Sequence, residues 1–263
     1  GRDLGLPRVH AAGAAVLVGL HPATIEAACL VMARSDVVVM AATVWAILLW
    51  RIAWRTGRAR WGALHLLALA VALGSKEVGV VTPVIIGLVW AVEEGWREGW
   101  RRSLVALGPP VALGLVYLVL RGAVLGDGSG ARLALEPLRW FSTGGGYLAG
   151  LAPFRLETGV RNLPVAEAVS ALAILRHAMA WAVLVAVTAW AALRGRRQLP
   201  LVGWMALVMA PVLLVEAINV PNIDGKFPMA DRWLFHAVAP AALLLAGLAA
   251  ELRGPWASRL VGA

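Results

Sequence analysis

The chain has 263 residues, 60% of them apolar and only 15% charged, with a mean hydropathy of +0.77. A water-soluble domain is nearer half apolar and a quarter charged, so the surplus points to lipid, and the same figures exclude a disordered chain. The single cysteine, Cys29, excludes a disulfide framework, and the net charge of +9 falls in short basic clusters between apolar runs, the signature of membrane topology rather than of a nucleic-acid partner.

A spanning helix needs about 20 mostly apolar residues. Eight crossings are predicted, at 4–20, 37–54, 61–74, 78–92, 104–120, 169–193, 199–215 and 233–250. The third and fourth are short, and Ser75-Lys76-Glu77 lies between them. A Lys-Glu pair is costly in mid-bilayer and Gly74 suits a helix end, so a hairpin is expected there. The chain therefore reads as all-α, a polytopic transmembrane helix bundle of about eight crossings. It forms a single transmembrane domain over 1–263, with one excursion at 121–168.

Charge distribution orients this bundle. The segments 1–10, 51–61, 93–103, 194–198 and 251–263 share one side and hold fourteen Lys and Arg against five acids. The remaining ten basic and ten acidic residues balance. By the positive-inside rule the first side is cytoplasmic. Trp50, Trp54, Trp61, Trp96, Trp100 and Trp256 flank its basic loops, where indole rings suit the headgroup layer. Those basic loops are expected to meet anionic lipid.

The other side collects the unusual residues. It receives 21–36 (HPATIEAACLVMARSD), the Ser75-Lys76-Glu77 turn, the long segment 121–168 and 216–232 (EAINVPNIDGKFPMADR). Within 121–168, a Gly-rich stretch at 126–130 leads into Leu133–Phe141, which reads as an interfacial helix. The apolar piece Tyr147–Phe154 is too short to span and reads as re-entrant.

Ionisable groups at a membrane boundary usually have a functional or pairing reason to be there. On this face they come as neighbours in sequence: Arg34 with Asp36, Lys76 with Glu77, and Asp231 with Arg232. Glu26 stands among small residues one turn beyond His21-Pro22. Each also has a plainer reading, Asp36 as a helix cap and Lys76-Glu77 as a solvated turn. No phosphate loop, dinucleotide fingerprint, HExxH or CxxC occurs. The histidines are scattered without ligand spacing, so no metal site is expected.

The order HPATIEAACLVMARSD, then LGSKEVGVVTP, then a Pro-containing helix at Ala210-Pro211 leading into FPMADRWLFHAVAP resembles the membrane region of the transmembrane and tetratricopeptide-repeat O-mannosyltransferases and their bacterial relatives. These are polytopic glycosyltransferases of the GT-C class. The residues carrying the resemblance are His21, Pro22, Glu26, Ala27, Arg34, Ser35, Asp36, Ser75, Lys76, Glu77, Asp231, Arg232, Trp233 and Leu234. It implies transfer of a sugar from a polyprenyl-phosphate carrier, the donor substrate, to a protein or glycan acceptor at the exoplasmic side. It further implies phosphate contacts from Arg34, Lys76 and Arg232, and carboxylates at Glu26, Asp36, Glu77 and Asp231 that orient those bases or the acceptor, with Glu26 and Asp36 the catalytic candidates. His21 belongs to the substrate-binding set.

The family carries an acidic pair on a loop two helices upstream of the HP motif, and this chain begins at Gly1 without it. The expectation is a fragment whose main acid lies upstream. Ala, Gly, Val and Arg bias suggests a GC-rich bacterial source, hence an inner membrane with the active face periplasmic. The competing expectation is a transporter or flippase for a lipid-linked or anionic solute.

Overall fold

A computed structural model describes residues 6–29, 34–93, 100–125, 145, 148, 151, 160–164, 171–193, 198–214, 226–230 and 235–261. Among them the chain is helical apart from one two-stranded ribbon. In chain order the elements are α1 (Arg8–Leu20), α2 (Pro22–Cys29), α3 (Arg34–Thr56), α4 (Ala59–Ser75), a 3-10 turn (Glu77–Val81), α5 (Thr82–Glu93), α6 (Trp100–Leu125), β1 (Val160–Pro164), α7 (Ala171–Leu193), α8 (Leu199–Leu214), β2 (Lys226–Ala230) and α9 (Phe235–Val261). Two compact units emerge, one of residues 27–132 and one of 1–26 with 133–263.

In the first unit, α3 has Asp36 in its first turn and Arg55 in its last, both favourable to the helix dipole. It stops at Gly57, whose φ of 63° is the left-handed conformation that glycine adopts without penalty. The Gly57 N–H donates to the Ala53 carbonyl at 2.8 Å. α4 then runs back along α3. Buried Ala46, Leu69 and Leu73 form one cluster, and Val39, Ala42 and Ala72 another. These alanines let the two backbones approach closely, the packing logic of helices in lipid. The His65 ring Nδ1–H donates to the Ala46 carbonyl at 2.9 Å.

The hairpin expected at Ser75-Lys76-Glu77 is present. Lys76 is extended (φ −163°, ψ 154°), which ends α4, and the 3-10 turn feeds α5 in the direction of α3. Thr82 at the start of α5 shares a 2.9 Å hydroxyl–hydroxyl hydrogen bond with Thr43, and Trp90 near its end packs edge-on to Trp50 and Trp54. α6 returns alongside, with Ser103 accepting from the Trp90 indole and Arg121 reaching Glu77 at the opposite end. Arg51 and Arg55 of α3 both pair with Glu93 of α5. All three belong to the basic side drawn from the sequence.

One tryptophan departs from its expected role as a headgroup anchor. Trp50 is only 5% exposed, and its indole N–H donates to the Ala106 carbonyl at 3.0 Å. The reason lies in α6, which carries Pro109 and Pro110 in its interior. Pro110 has no N–H to offer the carbonyl four residues earlier, which is that of Ala106. Trp50 supplies the missing donor across the helix interface.

Most of the outward surface of α6 is apolar: Leu104, Val105, Leu115, Val119 and Val124 are well exposed. An apolar face of that extent is not left to water. Two helical stretches, Arg34–Thr56 and Arg101–Val124, are long and apolar enough to cross a bilayer. α1 and α2 meet that test only together, across a 56° bend. Shorter apolar helices occur at 59–75, 177–193, 199–208 and 235–251. The protein is therefore a helical membrane protein. Each predicted crossing overlaps a described helix, yet at 1.5 Å per residue several of these helices are shorter than a hydrocarbon core of about 30 Å. Hydropathy alone marks where helices lie but does not establish that each of them spans.

In the second unit, α1 packs on α9 through Leu6, Ala14, Ala242 and Ala246. The Trp190 indole of α7 donates to Glu251 of α9 at 2.6 Å. Gly145 lies so close to α7 that a Cβ there would come within 2.5 Å of the His177 Cβ. β1 and β2 pair antiparallel with Asn162 opposite Pro228, an ordered ribbon in segments read from sequence as loop. The interfacial helix at 133–141 and the re-entrant piece at 147–154 lie outside the described residues, apart from Leu148 and Leu151.

Candidate functional site

Four of the residues picked from sequence belong to the first unit, and three of them converge at one end of it. Asp36 in the first turn of α3 is 2% exposed, and its carboxylate receives the Lys76 ammonium from the far end of α4. The Lys76 side chain retains 32% exposure while its ammonium sits on the buried acid. A buried carboxylate is tolerable only with such a partner. Lys76 has three N–H donors, which leaves capacity for a second anion.

Glu77 follows at once and pairs with Arg121 of α6 at 3.2 Å. The other branch of the Arg121 guanidinium donates to the Tyr117 hydroxyl, also at 3.2 Å. The Glu77 carboxyl is held below its ordinary value. The chief cause is a hydrogen bond from its own backbone N–H, partly offset by burial and reinforced by Arg121 and then Lys76. It is therefore ionised at neutral pH.

The turn that carries Lys76 and Glu77 is locked by Gly79. A Cβ at that position would sit 2.3 Å from the Ala72 carbonyl oxygen and 2.9 Å from the Leu73 nitrogen, both backbone atoms of α4. Only glycine lets the turn lie that flat. The Gly79 N–H also donates to the Lys76 carbonyl at 3.0 Å.

Sequence neighbours are thus not structural partners. Arg34–Asp36 and Lys76–Glu77 read as couples along the chain, but the fold pairs Asp36 with Lys76 and Glu77 with Arg121. Arg34 is exposed at the first position of α3. In the other unit, His21 is buried, and its Nδ1 accepts from the Ala23 N–H at 3.1 Å. It thereby caps α2, whose first residue is Pro22, a favoured helix-starting position for proline. Glu26 lies in α2, and its side chain is outside the described set, as are Asp231 and Arg232 entirely.

Arg121 and Tyr117 are missing from the sequence reading. The signal was present: Arg121 ends the crossing 104–120 on the same face as Lys76, one turn after a tyrosine. Among the described residues no group of three or more His, Cys, Asp or Glu is placed to hold a metal ion. No family model, curated protein or solved structure matches the chain, so the chemistry of this cluster carries the functional reading.

Proposed function

We propose that the protein is a glycosyltransferase that moves a sugar from a polyprenyl-phosphate carrier to a protein or glycan acceptor. The supporting observation is the Asp36–Lys76 pair, a buried carboxylate fixing a boundary ammonium at one end of a bundle whose outer surface is apolar. A lipid-borne phosphate arrives along such a surface, and Lys76 meets it with charge. Asp36 acts through Lys76 by holding it in place. The sequence resemblance adds Arg34 and Arg232 as further phosphate contacts, His21 as a substrate-binding residue, and Glu26 and Asp231 as carboxylates that orient the acceptor or those bases. A carboxylate can take the proton of an acceptor hydroxyl. The proposal includes eight crossings and a bacterial inner membrane with the site on the periplasmic face.

A flippase is the second reading, favoured by the 56° break between α1 and α2, since discontinuous helices are common in transporters. Reconstitution into vesicles with labelled polyprenyl-phosphate sugar separates the two. Label passing to an acceptor, and lost in Lys76→Gln, supports transfer. Label that only changes leaflet supports the flippase, and label unaffected by Lys76→Gln refutes the role of the site.

A further inference from the structure

We infer that Arg121 is a second cation for the carrier phosphate, and that Glu77 is a built-in counter-anion which the headgroup displaces to reach it. The inference rests on the phosphate-binding reading above and deepens it.

The Glu77–Arg121 contact is built for exchange. It is a single 3.2 Å bond from one guanidinium nitrogen, not a bidentate fork, and the Glu77 side chain is 61% exposed. Exposed pairs of this kind contribute little. At that exposure the Glu77 carboxylate can be taken up by water when Arg121 lets go. Asp36, by contrast, is buried against Lys76, with its side chain only 3% exposed.

Arg121 meanwhile does not depend on Glu77 for its orientation. The Tyr117 hydroxyl, one turn earlier on the same helix, holds its other branch. A guanidinium has five N–H donors, and two are engaged here. The rest can grip a phosphate with the two-point geometry that lysine lacks. A phosphate that replaces the Glu77 carboxylate at Arg121 enters the place where the Lys76 charge already acts on Glu77, at the turn that carries both residues. The resting cluster of Asp36, Lys76, Glu77 and Arg121 is neutral, and releasing Glu77 toward water leaves the anion facing two cations and one buried acid.

The test measures binding of undecaprenyl phosphate to the full chain in phosphatidylcholine nanodiscs. Arg121→Gln is expected to weaken binding about ten-fold, with Arg121→Lys intermediate. Glu77→Gln is expected to tighten it about two- to five-fold, the worth of an exposed pair no longer competing. In Arg121→Gln the Glu77→Gln change should have no further effect. A purely structural Glu77–Arg121 bridge predicts the reverse for Glu77→Gln, a loss of binding with loss of the turn. Weakening by Lys76→Gln with no response to Arg121→Gln or Glu77→Gln overturns this inference and leaves the phosphate reading standing. Indifference to all three substitutions sinks both. Displacement of the bound lipid by millimolar inorganic phosphate would overturn the assignment to a lipid headgroup.

Discussion

Replacing Trp50 by Phe tests the account of α6. The ring remains large and apolar, but the Ala106 carbonyl loses the donor that stands in for the N–H absent at Pro110. An orphaned buried carbonyl costs about 1–3 kcal/mol, while hydrogen bonds between membrane helices average about 0.6 and reach about 1.7 kcal/mol. A coupling of about 1 kcal/mol is therefore expected on top of the lost ring volume. A double-mutant cycle with Pro110→Ala isolates it, because alanine restores an N–H within α6 and makes the indole donor redundant. Equilibrium unfolding in mixed detergent micelles supplies the four stabilities. Trp50→Phe should cost clearly less in the Pro110→Ala background. An equal cost in both backgrounds would refute the rescue of Ala106 by Trp50.

Lys76→Met should destabilise the protein by up to about 3–5 kcal/mol by removing the ammonium that neutralises buried Asp36, and adding Asp36→Asn should recover most of that loss in the same unfolding assay. Gly79→Ala should cost at least about 1–3 kcal/mol, since the new methyl meets α4 backbone and nothing flexible can yield; normal stability would show that the turn is looser than described. The Glu77 carboxyl, held below its ordinary value near 4.5, contributes fully at neutral pH and loses its contribution as pH falls through the folded value. Hydrogen exchange across 76–81 should therefore differ between the natural protein and Glu77→Gln at pH 7 and converge in acid; a difference independent of pH would contradict the pairing.

What could be read from the chain alone was what depends on one segment at a time. A Lys-Glu dipeptide inside an apolar run announces a turn, and α4 does end at Ser75. Arg51, Arg55 and Glu93 sit on one side by charge counting, and they do meet. Partnership is different, because it depends on helix rotation and crossing depth. Nothing along the chain ties Glu77 to Arg121, 44 residues on, or Trp50 to a carbonyl 56 residues away. Trp50 was read by its neighbours, the basic loop, when its role is set by a proline on another helix. The ribbon escaped because two five-residue strands, one with a central proline, carry too short an alternation to stand out from loop.

That ribbon imposes a parity rule. With Pro164 held opposite Lys226, the polypeptide between them leaves from and comes back to a single locality. Whatever path α7 and α8 take, the number of bilayer traversals between those clasped points must be even. The pair must then enter the membrane as a there-and-back loop or not at all. A tag placed between α7 and α8 would report the compartment opposite to one placed at either strand whenever the loop is inserted.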